Sequence, residues 1–239
     1  MKTFTQHLDL NEKISLEYHD TLNTKIWDNF KLKSEVRKKL LKIGTTWQEF
    51  AKIPDNFVND ITLTGGNANY NYTDKSDLDV HILIDRNKLG PNRVFVDEYL
   101  QDKKILWSLT HNITIYGYPI ELYAQDINTE LVAGGVYSLL HNKWLKMPQH
   151  GNYDFSTDSN LENKALYYMD LIDKMIESKM DVKSFQQLRA KISEMRSSGL
   201  QKGGEYSFEN LLFKELRNQG YLDKMNQYER TIKDKELSL

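Results

Sequence analysis

From Asp77 to Asp85 the chain reads DLDVHILID, an alternation of polar and apolar residues with period two. Successive side chains of a β-strand point to opposite faces, so Leu78, Val80, Ile82 and Ile84 share one face while Asp77, Asp79 and His81 share the other. Such a segment fits neither a loop nor a surface helix. It needs a sheet with one buried face, and it leaves two aspartates about 7 Å apart on the open face.

Its surroundings supply the rest of a mixed α/β unit. Residues 57–64, FVNDITLT, read as a strand ending in Gly65-Gly66. Upstream, Leu32, Val36, Leu40, Ile43, Trp47 and Phe50 recur at spacings of three and four, predicting an amphipathic helix over 31–52. Lys33, Arg37 and Lys38 lie on its opposite face, and Pro54 ends it. Residues 93–111 predict a helix with Val94, Leu100, Leu106 and Leu109 inward. NITIYGYPIELYAQD predicts two strands around Gly117-Tyr118-Pro119, and VYSLLHNKWLKM a hairpin turning at His141-Asn142.

Beyond residue 150 the period becomes helical. The stripes are Leu161, Ala165, Tyr168, Ile172, Met175; then Phe185, Leu188, Ile192, Met195; then Phe208, Leu211, Leu212, Leu216; and finally Leu222, Met225, Tyr228, Ile232. Ser207 is the expected N-cap of the third and Gly220 its stop, with SSGLQKGGEYS as a loop before it. The expected fold class is α+β, a mixed β-sheet backed by helices and followed by a C-terminal helical domain. The expected division is 1–150, including N-terminal helices, and 151–239.

Composition removes several classes of function. With no cysteine among 239 residues there is no disulfide scaffold, zinc-thiolate site, iron–sulfur cluster or cysteine nucleophile. No run approaches the roughly 20 apolar residues of a membrane span, and the polar start is unlike a secretory signal, so a soluble cytoplasmic protein with no membrane partner is expected. A net charge of -2 excludes a polycationic coat. Yet residues 25–54 hold eight basic and three acidic side chains, whereas residues 55–130 hold twelve acidic and six basic.

Three features of the acidic stretch combine into chemistry. Gly65-Gly66 ends one strand, Asp77 and Asp79 share a face of the next, and Glu121 lies between Ile120 and Leu122 in a later strand. If those strands are neighbours, three carboxylates converge and repel. A divalent cation relieves that repulsion, and oxygen-only ligands favour Mg²⁺ or Mn²⁺ over zinc. Two such ions serve phosphoryl or nucleotidyl transfer. The glycines permit close backbone approach, and NANYNY is expected to open a helix whose N–H groups receive a triphosphate.

The run LTGGNANYNYTDKSDLDVHILID with the later IELYAQD resembles the DNA polymerase β-like nucleotidyltransferase superfamily over roughly residues 57–125. More loosely, the chain is similar to nucleotidyltransferase-like proteins of large tailed phages, in which GVYSLL…KW and EYSFENLLFKELR follow the core. The resemblance implies a nucleotidyltransferase-type sheet, two Mg²⁺ ions (Mn²⁺ as a substitute) and an NTP donor, ATP favoured. It implies that Asp77 and Asp79 bind both metals and that Glu121 holds the catalytic one and helps activate the acceptor hydroxyl. Gly65 and Gly66 would shape the phosphate turn. Many members have Ser where this chain has Gly66, a lost phosphate contact for which Asn67, Asn69 or Ser76 would compensate.

Cations that could assist the triphosphate are Lys75, Arg189, Arg196, Lys202 and Lys214. His81 shares the aspartates' face as a metal-ligand support or a structural histidine, and Tyr70, Tyr72 and Tyr137 are base-stacking or packing residues. The leading expectation is transfer of NMP from an NTP to a hydroxyl with release of pyrophosphate, the acceptor being RNA, such as tRNA or another 3′ end. Other readings stay open: a nucleotide- or RNA-binding protein without turnover, a toxin-like enzyme transferring AMP to a protein or tRNA, and an oligonucleotide second-messenger synthase.

Overall fold

In the computed structural model, residues 14–129, 133–151, 153–155 and 158–238 are described. They form two compact units, one of residues 18–151 and one of residues 14–17 with 153–238. Of the helices expected near the N-terminus, the one read over 31–52 is described below, and residues 1–13 lie outside the described residues.

The first unit begins with β1 (Trp27–Asp28) and β2 (Lys31–Leu32), a short antiparallel pair. Leu32 therefore ends a strand rather than starting the helix. Helix α1 (Ser34–Phe50) buries Val36, Leu40 and Trp47, as its spacing predicts, with Ile43 and Phe50 half-buried. Gly44 lets it close on the sheet, since a Cβ there would lie 3.2 Å from Ile61 Cγ2 and 3.8 Å from Val80 Cγ1. Arg37 on the basic face is partly structural, its Nε donating to the Leu139 carbonyl (2.7 Å) and its Nη2 to the Leu140 carbonyl (3.0 Å).

Strand β3 (Val58–Thr64) follows, then β4 (Leu78–Ile84). In β4, Leu78, Val80, Ile82 and Ile84 are fully buried and Asp79, His81 and Leu83 half-buried, the alternation the sequence demands. Helix α2 (Arg93–Thr110) occupies the expected residues but turns a different face inward. Val96, Leu100 and Trp107 are buried, whereas Val94, Leu106 and Leu109 are 67, 46 and 74 % exposed. Apolar residues lie on both sides of this helix, and the stripe containing Trp107 buries more surface.

Strands β5 (Thr114–Ile115) and β6 (Tyr118–Asp126) turn at Tyr116-Gly117 rather than at Gly117-Tyr118-Pro119. Both turn residues have positive φ, 51° and 89°, as a two-residue hairpin requires. β7 (Val136–Ser138) and β8 (Lys143–Lys146) form the expected hairpin, with Asn142 at φ 53°. The sheet order is β5-β6-β4-β3-β7-β8. Every pairing is antiparallel except β4 with β6, which is parallel.

The second unit contains α3 (Ser159–Glu177), α4 (Val182–Gly203), α5 (Phe208–Asn218) and α6 (Tyr221–Leu237). The α3 stripe is buried throughout. In α4, Phe185, Leu188 and Ile192 are buried and Met195 half-buried; in α6, Met225 is buried and Leu222, Tyr228 and Ile232 are half-buried. Most of the expected SSGLQKGGEYS loop is helix, because α4 continues to Gly203. Gly199 faces Ser207 there, and a Cβ would lie 2.7 Å from Ser207 Oγ. Ser207 precedes α5, but its side chain makes no capping hydrogen bond, and Phe208 sits at the rim, 37 % exposed. Buried Glu215 accepts hydrogen bonds from Ser15 N (2.9 Å), Ser15 Oγ (2.7 Å) and Gln219 Nε2 (2.8 Å). Among the described residues no helix is long and apolar enough to cross a membrane.

Candidate metal centre

The register of three adjacent strands builds the site. Thr64 of β3 pairs with Asp79 of β4, and Asp79 pairs in parallel with Glu121 of β6. Side chains at one level of neighbouring strands share a face, so Asp79 and Glu121 stand side by side on the face opposite the buried Val80 and Leu122. Asp77 sits just ahead of β4. One oxygen from each of Asp77, Asp79 and Glu121 lies within 4.8 Å of the other two. Like charges this close repel by roughly 1–3 kcal/mol per pair near a protein surface. Three hard oxygen donors, gathered at that spacing, suit a divalent cation such as Mg²⁺ or Mn²⁺.

The turn after β3 is fitted to this cluster. Gly65 has φ 82°, and a Cβ on it would lie 1.7 Å from Asp79 Oδ2, so only glycine leaves room for the carboxylate. Gly66 is less confined, a Cβ there meeting Ser76 Oγ at 3.2 Å. The helix expected at NANYNY does not form: a single 3₁₀ turn, Gly66–Ala68, is followed by irregular chain. Asparagine side chains compete with helical hydrogen bonds by bonding locally, and here Asn69 Oδ1 accepts from Tyr70 N (2.9 Å).

Asn67 is enclosed and works as a strut. Its Nδ2 donates to the Asp77 carbonyl (2.9 Å), its Oδ1 accepts from Asn23 Nδ2 (2.7 Å), and its carbonyl accepts from Trp27 Nε1 (2.6 Å). Asn69 and Ser76 are also buried, and Ser76 Oγ accepts from Thr73 N (2.9 Å). Lys75 is exposed on the same loop.

Arg196, Lys202 and Lys214 belong to the helical unit. Arg196 there donates from Nε to Asn210 Oδ1 (3.2 Å) and covers the Phe213 ring, 4.1 Å from its centroid. Lys202 is exposed and Lys214 half-buried. Arg189 is ion-paired with buried Glu229.

His81 contacts Gln125 Oε1 through Nδ1 (2.7 Å) and meets the Tyr123 ring edge-on at 4.6 Å. Burial pushes its pKa below the usual histidine range; Gln125 and Glu121 oppose this, and Lys104 adds to it. Tyr70 packs with Tyr18 and His150, Tyr72 stacks on His19, and Tyr137 packs with Trp27 and Trp144. One charged neighbour of the cluster has no sequence signal near the acidic motif: Lys104 of α2, whose Nζ forms an ion pair with Glu121 Oε1.

No family model and no curated protein matches the chain. Among solved structures it is similar to the STING-associated CdnE c-di-GMP synthase from Capnocytophaga granulosa, at 13% identity over 84% of this chain and 82% of that one. The TM-score of that comparison is 0.21.

Proposed function

We propose that this chain is a divalent-cation-dependent nucleotidyltransferase that moves a nucleoside monophosphate from an NTP, ATP favoured, to a hydroxyl acceptor. The observation that carries this reading is the meeting of Asp77, Asp79 and Glu121 oxygens within 4.8 Å beside a glycine turn moulded to Asp79. Asp77 and Asp79 would hold Mg²⁺, or Mn²⁺ in its place, and Glu121 would complete the set. Such ions, when bound, activate an attacking hydroxyl and stabilise the leaving oxygen.

The chain's own part is placement. Asn67 fixes the backbone at Asp77, and Gly65 leaves the room that the Asp79 carboxylate occupies beside the turn. Glu121, the exposed member, is the one an acceptor hydroxyl reaches. The acceptor oxygen bonds to the α-phosphorus as the bond to the bridging oxygen breaks; pyrophosphate departs and the hydroxyl proton passes to solvent. We further propose an RNA 3′ hydroxyl, as in tRNA, as acceptor. The basic helix α1 lends this no support, because it packs on the Val80 face of the sheet, away from Asp79.

The test is incubation with each labelled NTP, Mg²⁺ or Mn²⁺ and total RNA, comparing wild type with Asp77→Asn/Asp79→Asn. Label entering RNA from wild type alone is the expected result. Label on protein, or labelled short oligonucleotides made without RNA, moves the acceptor to another class. NTP binding with no turnover by wild type overturns the enzymatic reading.

A further inference from the structure

We infer that Lys104 is a resident counter-ion that competes with a divalent cation for Glu121. The inference rests on the reading of Asp77, Asp79 and Glu121 as cation ligands. Lys104 projects from α2 and ion-pairs with Glu121 Oε1, and its ammonium lies 5.5 Å from the centroid of the Tyr123 ring, two residues further along β6 on the same face. Its side chain is only 29 % exposed, against 45 % for Glu121. The lysine is therefore drawn over the strand and onto the carboxylate rather than extended into water.

An ammonium offsets one of the three negative charges but offers only hydrogen-bond donors and cannot gather carboxylates from three chain positions. A divalent cation sharing Glu121 brings two positive charges to within a few ångströms of Nζ. Each cation then weakens the other's hold, by the same factor in both directions. The displaced side chain has a place to turn, because Lys104 also lines a cavity of about 410 Å³ bounded by Arg86, Gln101 and Tyr123. Without a divalent cation the ammonium rests on Glu121; with one, it swings toward that cavity.

The experiment is Mn²⁺ binding by the full-length chain without nucleotide, followed by the electron paramagnetic resonance signal of free Mn²⁺. Lys104→Met is expected to bind Mn²⁺ roughly tenfold more tightly than wild type, and Lys104→Arg, which keeps the charge, within about threefold of it. A damaged fold cannot imitate tighter binding. Adding Glu121→Gln to Lys104→Met should cancel the gain. Unchanged or weaker binding by Lys104→Met, or a gain that survives loss of the Glu121 charge, overturns the inference. If neither wild type nor Lys104→Met binds Mn²⁺, the cation-ligand reading fails, and this inference with it.

Discussion

A methyl group added to Gly65 would lie 1.7 Å from Asp79 Oδ2 and 2.8 Å from its Cγ, in a backbone conformation that already disfavours side chains. Gly65→Ala must move either the carboxylate or the end of β3, on top of about 1–3 kcal/mol of backbone strain. We expect Mn²⁺ affinity to fall at least about tenfold, the equivalent of 1.4 kcal/mol, together with a lowered melting temperature. Wild-type affinity in titration calorimetry would remove the turn from the site. At this scale the convergence of the three acids is legible in the sequence, because their order and face polarity have few other uses, whereas the fit of Gly65 to the Asp79 carboxylate is not. Nor is the role of Asn67: a buried strut and a ligand-facing asparagine look alike until Asn23 and Trp27 are seen against it. Lys104 carries no such signal, because only the packing of α2 beside β6 brings it to Glu121.

Among the elements, β4 was readable because a period of two admits one buried face, whereas α2 offered two competing apolar stripes. The stripe that faces inward can be tested. Leu100→Ala should cost about 2–4 kcal/mol of unfolding free energy, and Leu109→Ala less than about 0.5 kcal/mol, both measured by urea denaturation. Equal costs would mean that the helix is turned otherwise. The end of α4 is not legible in the sequence because its glycines resemble loop punctuation, while Gly199 permits the close approach of Ser207 within a continuing helix. The turn at Tyr116-Gly117 lies ahead of the expected Gly117-Tyr118-Pro119 because Pro119, which resembles a turn residue, stands in β6.

For the whole molecule, the acidic stretch from 55 to 130 does more than bring Asp77, Asp79 and Glu121 together. Asp126, almost wholly buried at the end of β6, accepts hydrogen bonds from Asn128 N (3.1 Å) and Nδ2 (2.9 Å) and pairs with Arg93 Nη1 (3.2 Å). Burial raises its pKa, but the Asn128 bonds with Arg93 and Arg86 outweigh it and hold the carboxyl below its ordinary value. The unfolded chain therefore takes up this proton more readily. The resulting stability is complete above the unfolded value of about 3.9 and is lost as pH falls through the lower folded one. Wild type should exceed Asp126→Asn in unfolding free energy most at neutral pH, with the gap closing below about pH 4. A gap independent of pH would dissociate Asp126 from acid sensitivity. The parallel pairing of β4 with β6 has a consequence for the order of folding. The antiparallel β3–β4 pair needs only the intervening loop, but β6 cannot join β4 until α2 and β5 have carried the chain back across the sheet. Contacts that close longer loops are slower to form, so Glu121 is expected to reach Asp79 only after β3 and β4 have paired.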